Sequence, residues 1–218
     1  MKKHLLSFIC TAVLATPWVA SANTLEKVKS AGAITMGVRD SSGALSYTLG
    51  DGKYVGFHVE VCQRIIEQVE KAVGRKLQTN YVAVTSQNRI PLTQNGTIDI
   101  ECGSTTNNSE RAKQVTFATN YFYTGTRLLV KSGSPVKSVA DLKGKKVVST
   151  TGTTNFQILR KLNADQNLNF ELIGAKDHAE SALLVQQGRA DDRRARRHSE
   201  RAHRGTDLRD VGSGTGRA

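Results

Sequence analysis

Beyond residue 22 the sequence has no apolar run long enough to cross a bilayer, which excludes a body built on membrane-spanning helices. It also has no glycine-rich phosphate loop, no paired His/Cys spacing for a metal and no G-x-S-x-G elbow. The usual signatures of nucleotide binding, metal binding and serine hydrolysis are therefore missing, and no cofactor is expected. Histidine is scarce: of five, only His58 and His178 lie between residues 23 and 190, which leaves few groups for general acid–base work. Cysteine is scarcer still. With Cys10 in the amino-terminal segment, Cys62 and Cys102 remain. They are either one disulfide in an oxidising compartment or two small buried hydrophobes, the second being the commoner state of a free cysteine. The sequence does not fix the distance between them.

The amino terminus reads as an export leader. Lys2, Lys3 and His4 precede an apolar stretch from Leu5 to Ala15 that is too short to span a membrane, and Ala20-Ser21-Ala22 supplies the small residues of a cleavage site. A mature chain beginning near Asn23 and a periplasmic address are expected.

The formal charge of +12 is unevenly sourced. From Asp191 onward there are eight arginines, no lysine and five acidic residues, whereas residues 23–189 are lysine-rich with charges spread along the chain. That spread fits a solvated surface better than a phosphate-tracking stripe, so nucleic acid is not an expected partner. Residues 191–218 hold only Leu208 and Val211 as larger apolar side chains. Such a segment buries too little to offset its ordering entropy, and it is expected to be disordered or loosely helical. Its arginine-without-lysine usage also suggests an out-of-frame tail, a natural basic tail being the competing explanation.

Between these ends, strands and helices alternate. Ala33 to Val38 reads as a buried strand. Val61, Ile65, Ile66, Val69 and Val73 recur at helical steps over about 57–73, with Gly74 at the C-cap. Strands are expected at 77–84 and 97–101, and a long apolar stretch at 121–131. Ser132-Gly133-Ser134-Pro135 marks a break. The alternation then restarts, with strands at 146–149 and 170–173 and helices at about 154–162 and 177–187. The pattern gives an α/β protein of two lobes, 23–131 and 132–190, with a cleft between them and mainly parallel sheets.

Ligand sites in such folds gather at the carboxyl ends of strands. Arg39 follows the first strand; Ser86 and Arg89 follow the second; Ser104, Thr106 and Arg111 follow the third. Thr153 and Thr154 open a helix in the second lobe, and His178 opens another. Each signal alone has a plainer explanation, a solvated arginine or a helix-capping threonine. The set is more informative. Guanidinium forks suit carboxylates and helix N-termini favour anions, so a small ligand with two carboxylates is the natural occupant.

Several strings carry a family resemblance: Ser86-Gln87-Asn88-Arg89-Ile90-Pro91-Leu92, Gln94-Asn95-Gly96-Thr97, and Glu101-Cys102-Gly103-Ser104-Thr105-Thr106-Asn107-Asn108. Gly125-Thr126-Arg127-Leu128-Leu129, Ser149 to Thr154 and Ala175-Lys176-Asp177-His178 extend the match. Over about 24–190 the chain resembles the glutamate/aspartate-binding proteins of bacterial ABC transporters, within the polar amino-acid solute-binding family. The resemblance implies a two-lobed periplasmic binding protein-like (type II) fold, a monomer that closes on glutamate or aspartate, and delivery to inner-membrane permease subunits. By the same resemblance, Arg111, Ser104 and Thr106 hold the α-carboxylate. Arg39, Ser86 and Arg89, with His178, hold the side-chain carboxylate, and Thr153 and Thr154 donate from the second lobe.

The family continues beyond this point into a strand ending in an acidic residue for the ligand's ammonium group. That pattern is not visible after Ala190, so the second lobe is expected to be incomplete. An enzyme on the same fold, dehydratase-like with His178 or Glu101 as acid or base, is the alternative. A polyanion binder acting through the arginine-rich tail ranks below it.

Overall fold

A computed structural model describes residues 23–190, 192–196 and 208–211. The expected leader and most of the arginine-rich segment lie outside the described residues. No described helix is long and apolar enough to cross a membrane.

The first lobe opens with α1 (Thr24–Ala31), stopped by Gly32 in the left-handed conformation. There follow β1 (Ala33–Val38), a hairpin of β2 (Tyr47–Gly50) and β3 (Lys53–Val55), α2 (Phe57–Val73) and β4 (Gln78–Ala83). Then come α3 (Arg89–Gln94), the two-residue β5 (Ile100–Glu101) and α4 (Ser109–Ala112). β1 is the central strand of a parallel sheet in the order β4-β1-β5. α2 buries Val59, Cys62, Ile66 and Val73 against β1, and these residues join Val28, Ile34, Met36, Val38, Leu77 and Cys102 in one core. The hairpin was not apparent in the sequence because β2 is exposed along its whole length and shows no buried alternation.

The second lobe contains β6 (Thr126–Lys131), β7 (Lys146–Thr150), α5 (Thr154–Asp165), β8 (Glu171–Ala175) and α6 (His178–Gln186). Its cores, around Leu128, Val130, Val147 and Leu159 and around Val148, Ala175 and Val185, share no residue with the first. Cores that do not overlap are the physical basis for two lobes.

Three expectations need correction. The boundary expected after residue 131 falls earlier. β6 belongs to the second sheet, and the connection is 116–125, which has no regular secondary structure. The cysteines are not two independent hydrophobes: Cys62 of α2 and Cys102 after β5 are disulfide-bonded, with Cα atoms 6.2 Å apart. Finally, the segment after 190 is not wholly without structure. β9 (Asp192–Arg196) and β10 (Leu208–Val211) join a sheet in the order β10-β6-β9-β7-β8, in a second lobe that remains incomplete beside its family. β9 runs antiparallel to β6 and parallel to β7, and β10 lies antiparallel on the other side of β6. Backbone N–H and C=O groups left along β6 and β7 recruit a strand of any composition, a gain that the scarcity of apolar side chains does not measure.

Candidate functional site

Because β1, β4 and β5 are parallel, their carboxyl ends share one edge of the first sheet. Arg39 leaves β1, Ser86 lies just beyond β4, and Glu101 ends β5. β7 and β8 are likewise parallel, which puts Thr150 to Thr154 beside Asp177 and His178. The two edges meet. Gly152, at φ +70°, packs on the Ser86–Gln87 backbone so closely that a Cβ would come within 2.6 Å of the Ser86 carbonyl oxygen. Arg111 crosses the same gap, donating from Nη1 to Thr106 O (3.1 Å) and from Nη2 to Gly152 O (3.0 Å).

The three predicted arginines are buried: Arg39 is 1% exposed, Arg89 2% and Arg111 8%. Arg39 Nη1 donates to Ser86 Oγ at 3.0 Å, so two residues expected to act together are joined. Burial pulls the pKa of Arg39 below its ordinary value; Glu101, Asp177 and Asp40 pull it back. Arg111 shows the same balance, burial against Glu101.

The remaining predicted residues are spread around this junction. Ser104 Oγ lies 3.1 Å from Ser42 Oγ. His178 Nδ1 is 2.9 Å from Thr150 Oγ1, which also meets Ser181 Oγ at 2.8 Å. The Thr153 hydroxyl serves as a cap: it accepts from Phe156 N (3.1 Å) and donates to Thr150 O (2.6 Å), so α5 begins at a fixed place. Arg89 lines a separate cavity of about 180 Å³, with Glu101, Thr105 and Cys62 on its walls.

A larger cavity of about 320 Å³ opens between the lobes and the 116–125 connection, lined by residues that include Glu101, Thr105, Thr106, Tyr121, Phe122 and Thr154. Four polar atoms on its walls are buried and make no intramolecular hydrogen bond: Glu101 Oε1, Thr105 Oγ1, Thr106 Oγ1 and Thr154 Oγ1. Buried polar groups left this way cost about 1–3 kcal/mol each, so their clustering marks a place built for a polar guest. Thr106 and Thr154 were legible as strand-end and helix-start hydroxyls. Glu101 also ends a strand, and its place there is the signal that could have put it among the binding residues as well as the acid–base candidates. Tyr121 and Phe122, read as part of an apolar stretch, instead form a ring cluster with Phe57 and His58. His58 Nδ1 donates to the Gly103 carbonyl. No group of three His, Cys, Asp or Glu that could hold a metal ion occurs among the described residues.

The sequence is 48% identical over 187 residues to an L-glutamate/L-aspartate-binding protein of Pseudomonas aeruginosa, covering 84% of this chain and 62% of that protein. It is 47% identical over 172 residues to a glutamate/aspartate import solute-binding protein of Escherichia coli strain K12, covering 78% and 57%. The chain thus spans about three fifths of the length of these relatives. Among solved structures, an ancestral arginine-binding protein bound to arginine superposes with a TM-score of 0.72 at 27% identity, over 83% of this chain and 79% of that one. An ancestral amino-acid-binding protein, a precursor of cyclohexadienyl dehydratase, shares the fold at a TM-score of 0.76 and 24% identity, over 87% and 81%. The sequence profile of the bacterial extracellular solute-binding proteins, family 3, matches residues 34–202, and the chain belongs to that family.

Proposed function

We propose that this protein captures an acidic amino acid, glutamate or aspartate, in the periplasm for an ABC-type uptake system. The observation that carries the proposal is the set of four unsatisfied polar atoms, three from the first lobe and one from the second, around a single cavity, with Arg111 bridging the same two lobes from Thr106 O to Gly152 O. A guest that satisfies atoms of both lobes binds the closed arrangement better than any open one, and that difference is what closure requires. The names of the two relatives point to the same ligands.

In this reading Arg111, Ser104 and Thr106 receive the α-carboxylate. Arg39, Ser86 and Arg89, with His178, receive the second carboxylate, and Thr153 and Thr154 contribute from the amino end of α5. Charge-assisted hydrogen bonds contribute about 1.5–3 kcal/mol each, and a dicarboxylate uses several. The lobes swing about 116–125, the segment that joins the two sheets, and the closed form docks on permease subunits as a monomer. No bond is made or broken. Calorimetry with glutamate, aspartate, glutamine and arginine tests the reading. Saturable binding of the acidic pair without turnover supports it; equal binding of all four, or chemical conversion of the ligand, overturns it.

A further inference from the structure

The smaller cavity, about 180 Å³, belongs to the first lobe and the connection: among the described residues none beyond 121 lines it. Its body is apolar, formed by Ile65 of α2, Ile90 of α3, Ile100 of β5, and Val115 and Phe117 where the connection begins. Its charges balance. Arg89 and Glu101 line it with opposite sign, and Asp99 is already held by Lys27 Nζ (2.7 Å) and Thr35 N (2.8 Å). Thr93 spends its hydroxyl on Arg89 O at 2.8 Å. Thr105 Oγ1 and Glu101 Oε1 are buried with no intramolecular hydrogen bond, and both can accept one from a guest.

A charged guest would gain from one of Arg89 and Glu101 what it lost to the other, so the cavity favours a neutral one. The volume sets its size, since an apolar cavity of about 150 Å³ is enough to hold benzene. We infer that this cavity is a second ligand site, for a small neutral ring compound bearing one hydroxyl, and that its occupant tightens amino-acid capture. The ring packs on the isoleucines and Phe117, and the hydroxyl donates to Thr105 Oγ1 or Glu101 Oε1. The coupling rests on the acidic-amino-acid reading above. Glu101, Thr105, Phe117, Ala118 and Tyr121 line both cavities, and the shared oxygens have lone pairs enough for two guests. An occupant that pins residues 115–118 as they stand, with the lobes touching at Gly152, favours the closed form. Linkage then makes each ligand strengthen the other's binding by the same factor.

Calorimetry with phenol on the full chain, without amino acid and then with saturating glutamate, tests this. Phenol binds saturably and more tightly than benzoate or benzylamine, which carry a charge on a similar ring. Its affinity rises about fivefold or more when glutamate is present, the lower end of coupling between sites. Ile65→Phe fills the cavity from a residue that does not line the larger one, and it abolishes phenol binding. Should that variant fail to melt cooperatively, Ile90→Phe takes its place. The inference is overturned if phenol does not saturate, if benzoate or benzylamine binds more tightly, or if phenol still binds the filled variant. Displacement of phenol by glutamate, or an affinity that glutamate leaves unchanged, overturns it as well. A parent protein that takes up phenol but neither glutamate nor aspartate supports the second site and overturns the acidic-amino-acid reading, and the coupling with it.

Discussion

The Cys62–Cys102 disulfide closes a loop with a sequence separation of 40. The chain-entropy relation for a loop of that length gives about 13 cal/mol/K, or about 4 kcal/mol at 25 °C, withheld from the unfolded ensemble. Against a typical domain stability of about 5–15 kcal/mol, that is a large share. Its placement adds to its weight. β5 is only two residues long, paired to β1 at Met36–Ile100 and Gly37–Glu101, and just beyond it Cys102 N donates to Gly37 O at 2.8 Å. The covalent tie to α2 is therefore what keeps so short a strand, and Glu101 at its end, in register. Replacing both cysteines by alanine avoids burying a hydroxyl and should cost about 2–4 kcal/mol in equilibrium urea unfolding. Binding should weaken with it. A loss below about 1 kcal/mol would contradict the loop-closure reasoning, as would alkylation of both residues in unreduced, denatured protein.

Gly152→Ala is expected to hold the lobes apart, because its Cβ meets the Ser86 and Gln87 backbone rather than a flexible side chain. Gly144→Ala bears the same left-handed strain at φ +69° with open space around it, so only Gly152→Ala should weaken glutamate binding measurably in calorimetry. Arg111→Lys keeps the charge but cannot reach Thr106 O and Gly152 O at once; about a tenfold or greater loss of affinity is expected for one charge-assisted contact. Glu70 accepts from Leu77 N (3.0 Å) and Lys76 Nζ (2.6 Å), which hold its carboxyl below its ordinary 4.5. A depressed folded-state pKa stabilises above the unfolded value and is lost as pH falls through the folded one. Glu70→Gln should therefore flatten the melting-temperature profile below pH 4.5, and an unchanged slope there would remove Glu70 as its source.

Much of the architecture was legible because burial leaves a period. The α2 pattern identified the helix, although the residues facing the core proved to be Val59, Cys62, Ile66 and Val73, with Val61 and Ile65 on its flanks. The alternation of strands and helices gave the parallel pairings at β1/β4 and β7/β8. Other features were hidden because they depend on distances across the chain. The apolar stretch at 121–131 held two kinds of structure, a connection with aromatic rings at the cavity and a strand buried in the other lobe. Thr97–Glu101 yielded only two ladder residues because Asp99 spends its side chain on Thr35 N (2.8 Å) and Lys27 Nζ (2.7 Å). At the site, strand-end logic found Arg39 and Ser86 together. The plainer reading of a threonine at a helix start, a cap, is the one Thr153 takes, whereas the buried, unsatisfied Oε1 of Glu101 depends on packing that no local pattern carries.

The shared edge at which β1, β4 and β5 end has a consequence for divergence. Residues beyond the strands can be exchanged without altering a single rung of the ladder, so the scaffold and its ligand preference can change independently over evolutionary time. New specificities should therefore arise by substitutions at the exits of β1, β4 and β5, while buried strand positions such as Ile34, Met36 and Val38 drift only among residues of similar volume.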